Sequence, residues 1–161
     1  MEQVYNTGMK TLTEVQKAYL AGILDGEGYI GVIVNIKSRG AALDVSIAQN
    51  DNGLLSWIVK TTGNGNFHKH NNNVGKVRFY TKKAYELLVA LYPYLVVKRE
   101  QVRLALEFQE RYSELGTQPH RAYVYDGKDN PRMALGRLYA EKIKAERRKF
   151  SRSILKANYD Q

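Results

Sequence analysis

The 161-residue chain contains no cysteine, which excludes disulfides and thiolate metal sites and leaves the redox compartment open. Proline is scarce, with three residues, at positions 93, 119 and 131, that act as local stops or starts. No apolar run approaches the roughly 20 residues of a spanning helix, and no basic amphipathic segment has a strongly apolar face, so no membrane partner is expected. Residues 1–10 have neither a secretory apolar core nor an Arg/Ser-rich transit composition, and a soluble intracellular protein of unspecified compartment is expected. Acidic residues are the minority, 16 against 25 lysines and arginines. The formal net charge of +9 points to a polyanionic partner, nucleic acid first. Hydrophobic residues make up 43% of the chain, enough for the core of one domain.

The most informative stretch that is present is Leu20-Ala21-Gly22-Ile23-Leu24-Asp25-Gly26-Glu27-Gly28. Thr11 with Glu14, or Thr13 with Gln16, can form a capping box upstream, so a helix start is signalled in two registers. At 100° per residue, Leu12, Val15, Tyr19, Leu20, Ile23 and Leu24 share one arc, which predicts the core face. Ala18, Ala21 and Gly22 share another, small enough to admit a second helix or a strand of the same domain. Asp25 and Glu27 stand at the helix end, where unpaired carbonyls already carry partial negative charge. A cation is required there, and a bound metal is one candidate.

Beyond the motif, alternation predicts a strand over Tyr29–Lys37, with Ile30, Val32, Val34 and Ile36 inward, and a return strand over Ala42–Gln49 after the Ser38-Arg39-Gly40 turn. Asp51 opens a short helix that ends at Gly63. A second hairpin follows, with Phe67, Val77 and Phe79 inward. Two helices come next, one stopped by Pro93 and one running from near Arg99 to Gly116. Residues 1–116 are read as the core domain. Residues 117–161 are read as a loop and a basic helical extension of the same domain, opened by Asn130-Pro131 and thinly apolar enough to look like an appendage. The class is α+β, a four-stranded antiparallel sheet with helices on one face.

The other face is then open. It is predicted to carry Asn35, Lys37, Ser46, Asn66, His68, His70, Lys76, Arg78 and Tyr80, with Tyr29, Arg39 and Asp44 beside them. Such a mixture of donors, acceptors and cations suits base edges and phosphates. His68 and His70 lack a third ligand nearby and are read as surface groups.

The nine-residue motif resembles that of the LAGLIDADG homing endonucleases in its order of apolar, small, acidic and glycine positions, differing at Ile23-Leu24, Gly26 and Glu27. The helix and hairpin order resembles that family over most of the chain. The resemblance implies an αββαββα domain and, with one motif, a homodimer joined through the motif helix at Ala18, Ala21 and Gly22. It implies that Glu27 and the Gly26 carbonyl bind a divalent metal and that Asp25 secures the helix end. Gln49 resembles the residue that orders water near the scissile phosphate. Lys98, in Pro93-Tyr94-Leu95-Val96-Val97-Lys98, resembles the lysine beside the active site. The implied activity is hydrolysis of both strands of a long, roughly palindromic double-stranded DNA, with Mg2+ or another divalent metal such as Mn2+ as cofactor. Rival readings on the same scaffold are an intron maturase, binding intron RNA, and a non-catalytic DNA-binding regulator.

Overall fold

The computed structural model describes residues 8–69, 74–116 and 130–159, with side chains as far as Lys149. Helix α1 (Glu14–Glu27) starts in the second of the two registers, since Gln16 N–H donates to Thr13 Oγ1 (3.2 Å) and Thr13 N–H to Gln16 Oε1 (2.9 Å). Strand β1 (Gly28–Asn35) follows without a loop, and the Gly28 N–H closes the helix on Leu24 O. Then come β2 (Gly40–Gln49), α2 (Asn52–Thr62), β3 (Asn66–Lys69), β4 (Gly75–Tyr80), α3 (Thr81–Leu91), a 3-10 turn (Tyr92–Tyr94), α4 (Arg99–Glu114) and α5 (Pro131–Tyr159). The sheet order is β1-β2-β4-β3, antiparallel throughout. Among the described residues, five α-helices and a four-stranded antiparallel sheet make the protein α+β, as its sequence predicts.

Alternation along the strands decides which face the helices cover. Ile30, Val32, Leu43, Val45, Ile47, Val77 and Phe79 join Leu20, Leu24, Leu55, Ile58, Leu87, Leu88, Val102 and Phe108 in one buried cluster. Asp51 caps α2 by accepting from Gly53 N–H and Leu54 N–H, and Gly63 ends it in the left-handed region at φ 67°. Helix α5 belongs to the same core: Tyr139 and Ile143 are fully buried, and Tyr139 Oη donates to Glu107 at 2.5 Å. It comes close to the sheet at Gly136, where an added Cβ would stand 2.4 Å from the Ala41 Cβ and 3.1 Å from Val34 Cγ2. Gly136→Leu is therefore expected to cost about 1–3 kcal/mol or more as an overpacked contact, measured as a lower midpoint in chemical denaturation.

Several expectations need correction. Val15 (79% exposed) and Tyr19 (54%), which the helical arc predicts in the core, both face outward, while Ala21 is completely buried in the chain's own core. The buried arc of α1 is rotated toward Ala21: the sheet, α3 and the 3-10 turn pack behind Leu20, Ala21 and Leu24, while Tyr19 meets Trp57 of α2 edge-on at 5.2 Å from outside that layer. Strand β1 stops at Asn35, whose Oδ1 accepts from Lys37 N–H (3.0 Å) and Ser38 N–H (3.1 Å), so the chain turns early and Ile36 is exposed. Phe67 keeps its inward register opposite Val77 but lies on the short edge strand, 43% exposed, where little covers it.

Candidate functional site

The end of α1 and the start of α4 are tied to each other by opposite charges. Asp25 accepts three backbone N–H groups at the α4 entrance, from Val96 (2.8 Å), Val97 (3.1 Å) and Lys98 (2.8 Å). Lys98 has no side-chain cap of its own, so Asp25 serves as the anion at that positive helix end from another helix. In return the Lys98 ammonium donates to the Leu24 carbonyl (2.8 Å) and the Asp25 carbonyl (2.7 Å). The cation that the acidic end of α1 requires is thus a side chain of the protein. Burial lowers the Lys98 pKa from its usual value and nearby Arg147 lowers it further, against the attraction of Asp25 and Glu27.

Glu27 and Gly26 lie just past this clamp, both exposed. Gln49 ends β2 two residues beyond the Ile47 that pairs with Gly28, so it lies at the same end of the sheet as the motif. Its Oε1 accepts from Asn50 N–H at 3.1 Å. A Glu27 carboxylate and the Gly26 carbonyl form a hard oxygen pair, suited in kind to Mg2+ or Ca2+. Among the described residues no three of His, Cys, Asp and Glu gather into a metal cluster. Two oxygen donors are fewer than the roughly six ligands that such ions take, so the remaining positions fall to other oxygen ligands.

Arg147 is a site neighbour that sequence reasoning missed. It donates to the Ile30 carbonyl at 2.8 Å, and its guanidinium lies 4.6 Å over the Tyr29 ring. Tyr29 in turn lies along the strand over Gly31, where an added Cβ would meet the phenol oxygen at 2.5 Å. The available signal was the spacing Tyr139, Ile143, Arg147, which continues the buried stripe of α5 by four residues at a time.

On the open sheet face, Asn66 and His68 are exposed, and Lys76, Arg78 and Tyr80 are half-buried. Tyr29 is 41% exposed. Asn35, Lys37 and Arg39 gather at the β1–β2 turn, with Asn35 occupied in that turn and Arg39 left-handed at φ 51°. His70 lies outside the described residues. Asp44 (3% exposed) and Ser46 (1%) have the expected outward parity, yet both are covered. Their strand is central, and the longer side chains of β1 and β4 close over it. Neither is available as a direct surface contact. On α1, Ala18 and Gly22 are exposed, and Gly22 has no atom within 4 Å of an added Cβ. No described helix is long and apolar enough to cross a membrane.

No protein-family model matches the chain, and no curated protein matches it. Solved structures do. The homing endonuclease I-CvuI in complex with the I-CreI target is 21% identical, with 83% of this chain and 82% of that one covered and a TM-score of 0.66. The LAGLIDADG meganuclease I-CpaMI bound to uncleaved DNA is 21% identical over 63% of this chain and 40% of that one, TM-score 0.54. The archaeal intron-encoded homing endonuclease I-Vdi141I complexed with DNA is 14% identical over 78% and 97%, TM-score 0.51. The fold is that of the LAGLIDADG homing endonucleases.

Proposed function

We propose that this chain, which shares that fold, is a homodimeric DNA endonuclease that cuts both strands of a roughly palindromic duplex with the aid of Mg2+ or a similar divalent ion. The observation that carries the reading is the reciprocal clamp, Asp25 on the α4 amides and Lys98 on the α1 carbonyls, which fixes Glu27 and Gly26 at the rim of a basic sheet. Neighbouring structures bound to DNA support a duplex as the partner, and one was solved with magnesium.

Glu27 and the Gly26 carbonyl would hold the divalent ion, which when bound stabilises the charge of phosphodiester hydrolysis. The Gln49 amide does not titrate usefully, so its role is to orient the attacking water. An ammonium has three donors, and Lys98 spends two on carbonyls; the third is left for a phosphoryl oxygen. The dimer forms through the exposed α1 stripe of Val15, Ala18, Tyr19 and Gly22, where small residues let a second helix approach and an apolar rim is removed from water. Each copy then brings one Glu27 to a shared cleavage centre.

Incubated with randomised duplex DNA and Mg2+, the protein is expected to leave new ends at a recurrent sequence, and chelation to prevent them. A pool left intact would refute the proposal. Lys98→Ala is expected to slow cleavage by roughly 100-fold or more, on the scale of losing one transition-state donor, with a smaller loss of DNA affinity in gel shifts. Equal losses in both assays would reduce Lys98 to a phosphate contact.

A further inference from the structure

The open face contains one assembled polar unit. Arg78 donates from Nε (3.2 Å) and Nη2 (2.9 Å) to the two oxygens of Asp44, and its guanidinium lies 4.8 Å over the Tyr80 ring. The sheet register explains the assembly. Tyr80 stands directly opposite Asp44 on β4, Arg78 reaches it on the diagonal from its own partner Ser46, and Gly31 stands opposite Asp44 on β1 with the Tyr29 ring laid over it. Asp44 is thereby enclosed, with 4% of its side chain exposed, while Arg78 keeps 26%. A carboxylate so enclosed is not a surface acceptor for an incoming ligand. It is the group that fixes the guanidinium.

The consequence follows from the shape of arginine. With its Nε–Nη2 edge held by Asp44 and one flat side against Tyr80, the guanidinium still has the two N–H groups of Nη1 and the second N–H of Nη2 to donate. One N–H of Nη1 and that second N–H of Nη2 run parallel and match the O6 and N7 acceptors of guanine in a major groove, an arrangement no other base offers. Pairing with Asp44 also offsets the arginine's charge, so this residue adds less to salt-sensitive phosphate attraction than an unpaired lysine would.

We propose that the Asp44–Arg78–Tyr80 unit is a preset guanine reader, specifying one G·C pair in each half of the DNA target, with Arg78 as the base contact and Asp44 and Tyr80 as positioning residues. The inference rests on the DNA-binding reading above and adds a base identity to it.

The test uses the wild-type protein in Ca2+ to select binding sites from randomised duplex DNA, repeated with Arg78→Gln. Wild-type sites should share a guanine at matching positions of both half-sites, and the Arg78→Gln sites should lose that guanine while retaining their other preferences. Replacing that guanine by 7-deazaguanine, which lacks the N7 acceptor, should weaken wild-type binding by about tenfold or more, whatever the variant does to folding. Asp44→Asn should relax the guanine preference yet leave binding to unrelated duplex as strong or stronger, because positive charge is uncovered as orientation is lost; a merely structural role would weaken both together. Selective sites whose guanine persists in Arg78→Gln, or tolerates 7-deazaguanine, would overturn the proposal alone. Failure of the wild-type protein to bind any duplex would overturn it together with the endonuclease reading.

Discussion

Glu27→Gln is expected to abolish cleavage while DNA affinity stays within about tenfold, ~1.4 kcal/mol. The amide keeps the size and exposure of the side chain but removes its negative charge, and Glu27 is the only acidic residue placed past the Asp25–Lys98 clamp on the exposed end of α1. Asp25 cannot substitute, because its two oxygens are committed to three backbone amides. Gel shifts in Ca2+ and single-turnover cleavage in Mg2+ separate the two effects. Cleavage by the variant at the wild-type rate would remove Glu27 from the chemistry.

The second large effect concerns assembly. Gly22→Leu should abolish both the dimer and double-strand cutting, since leucine would hold two α1 backbones apart at their closest approach, at a cost of roughly 1–3 kcal/mol or more. The same change should leave the single chain at least as stable as before. A Cβ at Gly22 meets nothing within 4 Å, and glycine inside a helix costs up to about 1 kcal/mol relative to good helix formers. Sedimentation at micromolar concentration and thermal melting at a dilution where both proteins are monomeric therefore give opposite signs for one substitution. A Gly22→Leu dimer with full activity would exclude the stripe as the interface.

The fold was legible because its signals are local and repeated. Capping residues at Thr13 and Asp51, the left-handed stop at Gly63 and the period-two alternation of β1, β2 and β4 each act within a few residues of themselves. The failures are places where tertiary context decides. Val15 and Tyr19 belong to the apolar side of the α1 wheel, but the sheet and α3 pack against the side of Leu20, Ala21 and Leu24, which leaves them outside. The side-chain parity of Asp44 was read correctly, but its burial depends on Tyr80, Arg78 and Tyr29 closing over it from two other strands. The need for a cation at the end of α1 was visible in the sequence. That Lys98 meets it, some seventy residues away, required the packing of α4. Arg147 was hidden among the basic residues of α5, and its contact with Ile30 depends on how that helix lies along the sheet.

The central claim is that two copies of this chain each use one Glu27 to cut one strand of a duplex. Mapping the cut positions on both strands of a selected target at single-nucleotide resolution tests it most directly. One cut per strand, placed symmetrically about the centre of the site and absent with Glu27→Gln, is the predicted result; cuts confined to one strand, or the same ends from Glu27→Gln, would contradict it.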